Sequence, residues 1–580
     1  MNRFVGIVSL TAALLLGAFA YAQVIPADRA PAITPAQSIR ALNGMVVAQE
    51  SRAARIGVMI LDRGGNAVDA AVAVGFALAV TYPSAGNIGG GGFMVIHLAE
   101  DHRDIAIDYR ETAPAAASPT MFLDAQGKRD PKKSRDSGLA VGVPGTVAGL
   151  ALAHAKYGSG KFTLADLIAP AIDLARKGFP VEDDLADSLP RAARRLARWP
   201  ASAAIFLNGD RPLHEGDRLI QLDLADTLQR IAEGGPHAFY TGRIAELIAQ
   251  AVLAAGGVMT AADLKNYRAV ERPVVRGTYR RYDIVSMPPP SSGGVELIEM
   301  LNILEGYDLA KLGRGVESFH DMIEAMKRAY ADRAAYLGDP DRVKMPIAGL
   351  ISKKYAASLR AQIGARATPA ADIRPGKPAD FEGPNTTHFS IIDRDGNAVA
   401  NTYTLNFFYG LGLVADGTGV LLNNELSDFA AKPAAGKAHG LIGFNANLPG
   451  PDKRPLSSMT PTIVLKEGKP FLITGSPGSR RIITAVLQVI MNVIDFHMGI
   501  AEAVSAPRLH NQWRPDKTYA EPGFDARVLD ALRARGHNIV ATAPHTAANS
   551  IEVIPKGEFS PQSYIGAADR RTRGSMAAGY

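Results

Sequence analysis

The fold of this chain is decided by the stretch Thr386-Thr387-His388-Phe389-Ser390-Ile391-Ile392, which a turn joins to Ala398-Val399-Ala400-Asn401-Thr402-Tyr403-Thr404-Leu405. Polar and apolar residues alternate in the first part, and the second part is rich in β-branched and aromatic residues. The turn Asp393-Arg394-Asp395-Gly396-Asn397 has the residue types that reverse a chain. The pattern predicts a β-hairpin whose first strand begins with two adjacent threonines.

Segments after this hairpin predict its structural neighbours. Residues 462–465 and 471–474 predict a second hairpin, and the apolar spacing of residues 480–493 predicts a buried helix. The glycine-rich loop of residues 475–479 lies between them. A loop that opens a helix places free backbone N–H groups beside the positive end of the helix dipole, so it is suited to bind an anion.

Segments before the hairpin add helices and further strands. The almost wholly apolar residues 66–80 predict a buried helix, and the glycines of residues 89–92 lead into two β-like runs, the second at residues 105–110. Helical spacing dominates residues 139–330. Residues 366–383 are rich in Pro, Ala, Asp and Gly and show neither period, which predicts a linker.

Composition excludes several classes of chemistry. The chain has 580 residues, 47% of them hydrophobic, and no cysteine, so thiolate nucleophiles, zinc ribbons and cysteine-ligated clusters are excluded. The net charge is +6, but basic and acidic residues are interspersed, without the basic run of a nucleic-acid-binding arm. Residues 410–415 have the glycine spacing of a dinucleotide-binding loop, but a turn follows them where that motif needs a helix. Residues 158–161 resemble part of a phosphate-binding loop but lack the other Gly and the Ser or Thr of that motif.

Residues 1–22 have the pattern of a signal peptide. Arg3 precedes an apolar run over residues 5–20, and Ala20-Tyr21-Ala22 is the small-x-small sequence that signal peptidase cleaves. The alternative is an uncleaved anchor helix, although the run is shorter than the roughly 20 residues that span a membrane. The pattern predicts an exported protein, periplasmic or secreted. A chain without cysteine suits such an oxidising compartment.

The two threonines that begin the hairpin suggest a nucleophile. A threonine hydroxyl is a weak nucleophile, but cleavage between Asn385 and Thr386 would create an α-amino group with a reference pKa of roughly 7.7–8.0. That amine could act as the general base for the hydroxyl of the same residue. The alternative is that two threonines at the start of a strand reflect β propensity alone.

Six ordered motifs resemble the γ-glutamyltranspeptidase family of N-terminal nucleophile hydrolases over nearly the whole mature chain. They are NIGGGGF (87–93), DYRETAP (108–114), TTHFS (386–390), NNELSDF (423–429), RPLSSM (454–459) and TGSPG (474–478). The resemblance implies a four-layer αββα sandwich, an α+β fold built by two chains from one precursor.

Processing and catalysis follow from the same resemblance. It implies self-cleavage between Asn385 and Thr386, giving a large, helix-rich chain of residues 23–385 and a small chain of residues 386–580. Thr386 becomes the nucleophile, and Thr404 on the partner strand lies within hydrogen-bonding reach to orient it. The amides of Gly478 and Ser479 form the oxyanion hole, although many relatives have a second glycine where this chain has Ser479. No cofactor or metal is implied.

The resemblance also implies a γ-glutamyl substrate. The substrate α-carboxylate is bound by Arg110, Ser457 and Ser458, and its α-ammonium by the acceptors in the cleft, Asn406, Glu425 and Asp428. Residues 430–445 resemble a lid loop with His439 where the family often has Tyr, so we expect glutathione-sized donors.

The expected function is that of a glutathione hydrolase and γ-glutamyltransferase. Water, an amino acid or a peptide accepts the γ-glutamyl group, and neither nucleic acid nor membrane is a partner after export. One alternative is a glutaryl or cephalosporin acylase of the same family, which needs no group to bind an ammonium. A second is an exported binding protein without catalytic activity, which predicts an uncut chain.

Overall fold

The computed structural model describes residues 33–374, 385–430 and 446–580. The predicted signal peptide, His439 with nearly all of the predicted lid, and residues 375–383 of the predicted linker lie outside the described residues.

Twenty-three strands are formed by the described residues. They are β1 Gln37–Ala41, β2 Met45–Ala48, β3 Gly91–Leu98, β4 Arg103–Tyr109, β5 Phe179–Pro180, β6 Leu207–Asn208, β7 Arg211–Pro212, β8 Arg218–Leu219, β9 Val270–Arg272, β10 Val275–Tyr279, β11 Tyr282–Ser286, β12 Asn385–Ile392, β13 Ala398–Asn406, β14 Val414–Ala415, β15 Val420–Leu421, β16 Thr462–Lys466, β17 Lys469–Thr474, β18 Leu509–Asn511, β19 Thr518–Ala520, β20 Ile539–Ala541, β21 Ser550–Ile554, β22 Ser563–Ala568 and β23 Met576–Gly579.

The α-helices lie mainly between and after these strands. They are Ser51–Asp62, Ala67–Thr81, Pro131–Arg135, Thr146–Tyr157, Leu164–Lys177, Asp183–Leu196, Pro200–Phe206, Leu222–Gly234, His237–Tyr240, Gly242–Ala254, Ala261–Asn266, Gly293–Leu304, Leu309–Leu312, Val316–Tyr336, Ile347–Leu350, Lys353–Arg360, Arg481–Ile494, Ile500–Ser505 and Ala526–Ala534. Within the described part of the chain, no helix is both long enough and apolar enough to cross a membrane.

Two seven-stranded sheets form the centre of the molecule. One has the order β23-β2-β12-β13-β3-β4-β9 and the other β1-β22-β21-β17-β16-β11-β10. The first sheet holds the predicted hairpin, in which β12 and β13 pair antiparallel. Each sheet takes strands from both sides of Asn385, so the segments before and after the expected cleavage point share one core.

Alternating side chains of the first sheet face two different apolar cores. In β13, Val399 and Tyr403 belong to the core under the helices Ser51–Asp62 and Ala67–Thr81, whereas Ala400 packs in the core toward the second sheet. The second sheet is covered on its other face by the helices Gly293–Leu304 and Arg481–Ile494. The expected αββα order of layers is therefore confirmed.

Local predictions are largely confirmed. The helix predicted at residues 66–80 is Ala67–Thr81, and a reciprocal capping box between Asn66 and Asp69 begins it. Residues 139–330 are mainly helical, as predicted, and they also contribute the strands β9, β10 and β11 to the two large sheets. These strands are short, and two of them lie at sheet edges, so burial against a neighbouring strand outweighs their weak local signal.

Candidate active site

The start of β12 is irregular where it meets the end of β13. Asn385 pairs with Asn406 and Thr387 with Tyr403, so the register shifts by one residue around Thr386. Asn406 has a φ of +76°, a left-handed conformation that costs a non-glycine residue about 1 kcal/mol. Thr386 is 5% exposed and Thr404 2% exposed. Bulges and strained residues of this kind concentrate at active sites.

The glycine loop before β3 holds Thr404 in place. The Asn87 side-chain amide donates to the Thr404 carbonyl at 2.9 Å, and Gly91 pairs with Thr404 across the sheet. A Cβ on Gly90 would lie 2.1 Å from the Thr404 carbonyl oxygen, so only glycine permits this approach. The NIGGGGF motif therefore fixes the backbone of one of the expected catalytic threonines.

His388 is a buried, neutral support rather than a general base. Its Nε2 lies 3.0 Å from Ser390 Oγ, which itself donates to the Asn549 carbonyl, and its Nδ1 lies 2.8 Å from Thr402 Oγ1. Ser390 therefore accepts from Nε2–H, and Nδ1 accepts from Thr402. Burial lowers the pKa of His388 to about 3. A Cβ on Gly475 would lie 2.3 Å from the ring, which makes the imidazole a platform for the glycine-rich loop.

Most of the predicted site residues line one small cleft. Its lining consists of Arg110, Thr386, Thr404, Asn406, Glu425, Asp428, Ser457, Ser458, Met459, Ser479 and Ile482. The volume is about 20 Å³, close to that of one water molecule. In the uncut chain, the cleft is therefore nearly filled by its own side chains.

Arg110 is fully buried and held by carboxylates of the small-chain segment. One terminal nitrogen forms an ion pair with Glu425, and the other lies 2.6 Å from Asp428 Oδ2. The remaining Nε donates to the Pro455 carbonyl at 3.2 Å. Sequence reasoning predicted an arginine available to a substrate carboxylate, but the structure shows a guanidinium already engaged by the groups expected to bind the ammonium.

A third carboxylate, Glu111, was not singled out from the sequence. Its Oε2 lies 3.6 Å from Arg110 Nη1, and neither of its oxygens makes a hydrogen bond within the described residues. Burial raises the pKa of Glu111 to about 7 and that of Glu425 to about 8. Three acids thus surround one guanidinium, so once Glu111 and Glu425 are ionised the negative charges outnumber the positive one and the site suits an entering cation.

Two asparagines orient the acidic side of the cleft. Asn406 donates both amide hydrogens, to the Asn424 carbonyl at 3.1 Å and to Ser427 Oγ at 2.7 Å. Only Oδ1 of Asn406 therefore remains to contact a ligand, and this oxygen can accept a hydrogen bond from an ammonium group. Asn423 accepts from the Glu425 N–H at 2.9 Å and so positions that acid.

The two serines of the RPLSSM motif are held by residues of the large-chain segment. The Ser457 carbonyl accepts from the Ser292 N–H at 2.8 Å, and Arg333 Nη2 donates to Ser458 Oγ at 3.0 Å. Because Ser458 Oγ accepts from Arg333, its own proton is directed elsewhere. Arg333 lies in the helix Val316–Tyr336. No sequence motif marks it as a site residue, because only the tertiary fold brings it to Ser458.

The glycine-rich loop adopts an unusual backbone just before the helix Arg481–Ile494. Gly478 has a φ of +129° and Ser479 a φ of +56°. Both residues therefore adopt backbone conformations that glycine reaches more readily than other residues. A left-handed Ser costs about 1 kcal/mol, so glycine would fit this position with less strain.

Ser479→Gly is expected to raise the stability of the folded protein by up to about 1 kcal/mol, because glycine adopts this φ without steric cost. Activity should remain. Gly478→Ala should instead lower the stability of the folded protein, because the new Cβ would lie 2.6 Å from Thr546 Cγ2. Thermal unfolding of both variants checks this, and a lower Tm for Ser479→Gly would contradict it.

No group of three acidic or histidine side chains arranged to hold a metal ion occurs among the described residues.

Comparisons with known proteins find matches over most of this chain. The sequence model of the family described as Gamma-glutamyltranspeptidase matches residues 53–579. A glutathione hydrolase proenzyme of Escherichia coli is 51% identical over 93% of this chain and 93% of that protein. An acylase ACY 1 proenzyme of Pseudomonas sp. (strain V22) is 40% identical, over 92% and 93% of the two chains.

Solved structures with the same fold include a cephalosporin acylase from Bacillus halodurans. It has a TM-score of 0.82 and 27% identity, and the match covers 98% of this chain and 99% of that one. A γ-glutamyltranspeptidase chain of Helicobacter pylori has a TM-score of 0.55 and 47% identity, covering 58% of this chain and 96% of that one.

Proposed function

Because the chain belongs to the γ-glutamyltranspeptidase family, we propose that it is an autoprocessed glutathione hydrolase and γ-glutamyltransferase whose nucleophile is Thr386. The observation that carries the proposal is the cleft itself. It places Thr386 and Thr404 beside a guanidinium and a cluster of carboxylates, which together match an amino acid's carboxylate and ammonium.

Self-cleavage is the first step of this mechanism. Thr386 Oγ attacks the Asn385 carbonyl carbon, the C–N bond breaks, and the resulting ester is hydrolysed to a free carboxylate. The shifted register at Asn385 and the left-handed Asn406 opposite it support this site of cleavage, since strain favours the step that removes it. The relatives named as proenzymes are consistent with processing. The products are residues 23–385 and 386–580.

The processed enzyme then transfers the γ-glutamyl group. The new α-amine of Thr386 takes the hydroxyl proton, Oγ attacks the γ-amide carbon, and the leaving amine receives the proton. Asp428, Glu425 and Asn406 Oδ1 accept from the substrate ammonium. Its carboxylate is bound by Ser457 and Ser458, with Arg110 providing the positive charge behind them.

The tetrahedral oxyanion is bound by the N–H groups of Gly478 and Ser479 at the start of the helix Arg481–Ile494. Water or an acceptor amine attacks the resulting ester, forms the product carboxylate or amide, and returns the hydroxyl to Thr386. This chemistry requires no cofactor. Export to the periplasm and glutathione-sized donors are further parts of the proposal.

The acylase alternative makes a different prediction about the ammonium. Relatives named as acylases match this chain as well, so the family alone does not decide between the two substrates. Both Glu425 and Asp428 lie in the cleft beside Arg110, which favours a substrate with an amino group. The test compares hydrolysis of γ-glutamyl and glutaryl anilides by the purified protein. Faster turnover of the glutaryl compound would support the acylase instead.

The kcat/KM for a γ-glutamyl anilide is expected to rise with pH between about 6 and 8.5. Burial raises the pKa of Glu425 to about 8, so at lower pH the protonated acid pairs poorly with an ammonium. The Thr386 amine must also be deprotonated, with a reference pKa of roughly 7.7–8.0. A pH profile of wild type and Glu425→Gln checks this, since the variant should lose one of the two ionisations. Identical profiles would contradict the role of Glu425.

A further inference from the structure

A basic cleft lies beside the catalytic cleft and has no role in the mechanism above. It has a volume of about 890 Å³ and is lined by seven cationic side chains, one carboxylate from Asp136, and the rings of Phe407 and Phe408. A peptide of several residues fits in a space of this size. The excess of cations over acids makes the cleft attractive to an anion.

The cationic side chains of this cleft come from two distant segments. Arg191, Arg194 and Arg195 lie in the last two turns of the helix Asp183–Leu196, and Arg198 follows two residues after its end. The short helix Pro131–Arg135 supplies the opposite side. In the sequence, neither segment resembles the basic run of an anion-binding tail.

The inner arginines are fixed and poorly hydrated. Arg195 Nη1 donates to the Phe408 carbonyl at 3.0 Å, and its guanidinium lies 5.3 Å from the centre of the Phe407 ring. Arg135 lies 5.7 Å from the same ring. Burial lowers the pKa of both arginines, which means that their positive charges lack full solvation.

The outer arginines are available to a ligand. Arg191 and Arg194 are exposed, and neither forms an ion pair with any residue in the described ranges. The two held arginines inside the cleft and the two exposed arginines at its mouth can together donate hydrogen bonds to several carboxylates of one ligand.

One wall separates the basic cleft from the catalytic cleft. Phe407 directly follows Asn406, and the Phe407 N–H donates to Asn424 Oδ1 at 3.2 Å. Asn424 Nδ2 donates to the Arg135 carbonyl at 3.1 Å, while its own carbonyl accepts from Asn406. Because Asn406 lines the catalytic cleft and the next residue, Phe407, lines the basic cleft, the two clefts lie on either side of one short chain segment.

We propose that the basic cleft binds acidic peptides and presents their N-terminal amine as an acceptor for the γ-glutamyl group. The inference rests on the proposed function for the transfer step, but not for the binding itself. In that step, the amine nitrogen attacks the γ-carbonyl carbon of the ester, the C–O bond to Thr386 breaks, and the proton of the amine goes to the released hydroxyl.

The shape of the cleft favours a peptide over an anionic membrane. A flat lipid surface reaches only the outer arginines, whereas Arg135 and Arg195 lie against Phe407 inside the cleft. A single extended peptide can bring carboxylates to both the inner and the outer arginines, and its aliphatic carbons can pack on the rings of Phe407 and Phe408.

The test measures the binding of fluorescent hexaglutamate to the processed protein by anisotropy at low and moderate salt. Wild type should bind, with affinity falling as salt rises. Arg191→Glu combined with Arg194→Glu should weaken binding at least about tenfold. The matched control reverses Arg230 and Arg243, which are also exposed on helices but lie outside the cleft, and should change binding less than about twofold.

Transfer kinetics give the second readout. With a γ-glutamyl anilide donor, the double variant should raise the KM for a hexaglutamate acceptor about tenfold and leave the KM for glycylglycine unchanged. Failure of hexaglutamate to bind wild type, equal binding to both variants, or binding of anionic vesicles in its place would overturn the proposal. Transfer to glycylglycine but not to bound hexaglutamate would also overturn the acceptor role. Charge-dependent peptide binding by a protein that neither hydrolyses nor transfers the γ-glutamyl group would instead refute the proposed function.

Discussion

Thr386→Ala is expected to remain a single chain and to lose at least about a thousandfold in kcat for γ-glutamyl anilides. Without Oγ there is no nucleophile for self-cleavage or for acyl transfer, and the residual rate comes from binding and the oxyanion hole alone. Intact mass of the denatured protein checks the first result. Wild type should give two chains, the smaller of which begins at Thr386.

Thr386→Ser is the matched control. It keeps the hydroxyl at the start of β12 and should retain processing and measurable turnover, with rates altered by the more mobile serine rotamer. A wild-type protein found as one stable chain would refute the mechanism and favour the binding-protein alternative. Cleavage that persists in Thr386→Ala would place the scissile bond elsewhere.

Asp428→Asn is expected to lower kcat/KM for γ-glutamyl donors by about 30-fold to 1000-fold. The change keeps the shape of the side chain but removes the buried charge 2.6 Å from Arg110, which the proposal assigns to the substrate ammonium. Loss of one partner of a buried charged hydrogen bond costs about 2–4 kcal/mol. Steady-state kinetics with γ-glutamyl and glutaryl anilides measure the effect, and only the first substrate should be affected strongly.

Asp173→Asn provides the comparison for that experiment. Asp173 is an exposed acid paired with Lys177 at 2.8 Å on the helix Leu164–Lys177, where such pairs contribute little. Asp173→Asn should leave kcat/KM unchanged for both the γ-glutamyl and the glutaryl anilide. A similar loss of glutaryl turnover in Asp428→Asn would show that Asp428 supports the fold of the cleft rather than the ammonium.

The sequence by itself determined the central hairpin, the buried helix Ala67–Thr81 and most of the residues that line the cleft around Thr386. These features have strong local signals, because strand alternation, turn residues and capping boxes act over a few neighbouring positions. The six motifs added what no local rule supplies, namely that such distant segments belong to one site.

Only the tertiary structure decided how those residues share charge. Whether Arg110 is free or paired depends on the positions of Glu425 and Asp428, more than three hundred residues away in the chain. The left-handed Ser479 likewise follows from its place between the glycine-rich loop and a helix, and the basic cleft from the meeting of two separate helices. Electrostatics and strain depend on distances in space, which residue spacing alone does not specify.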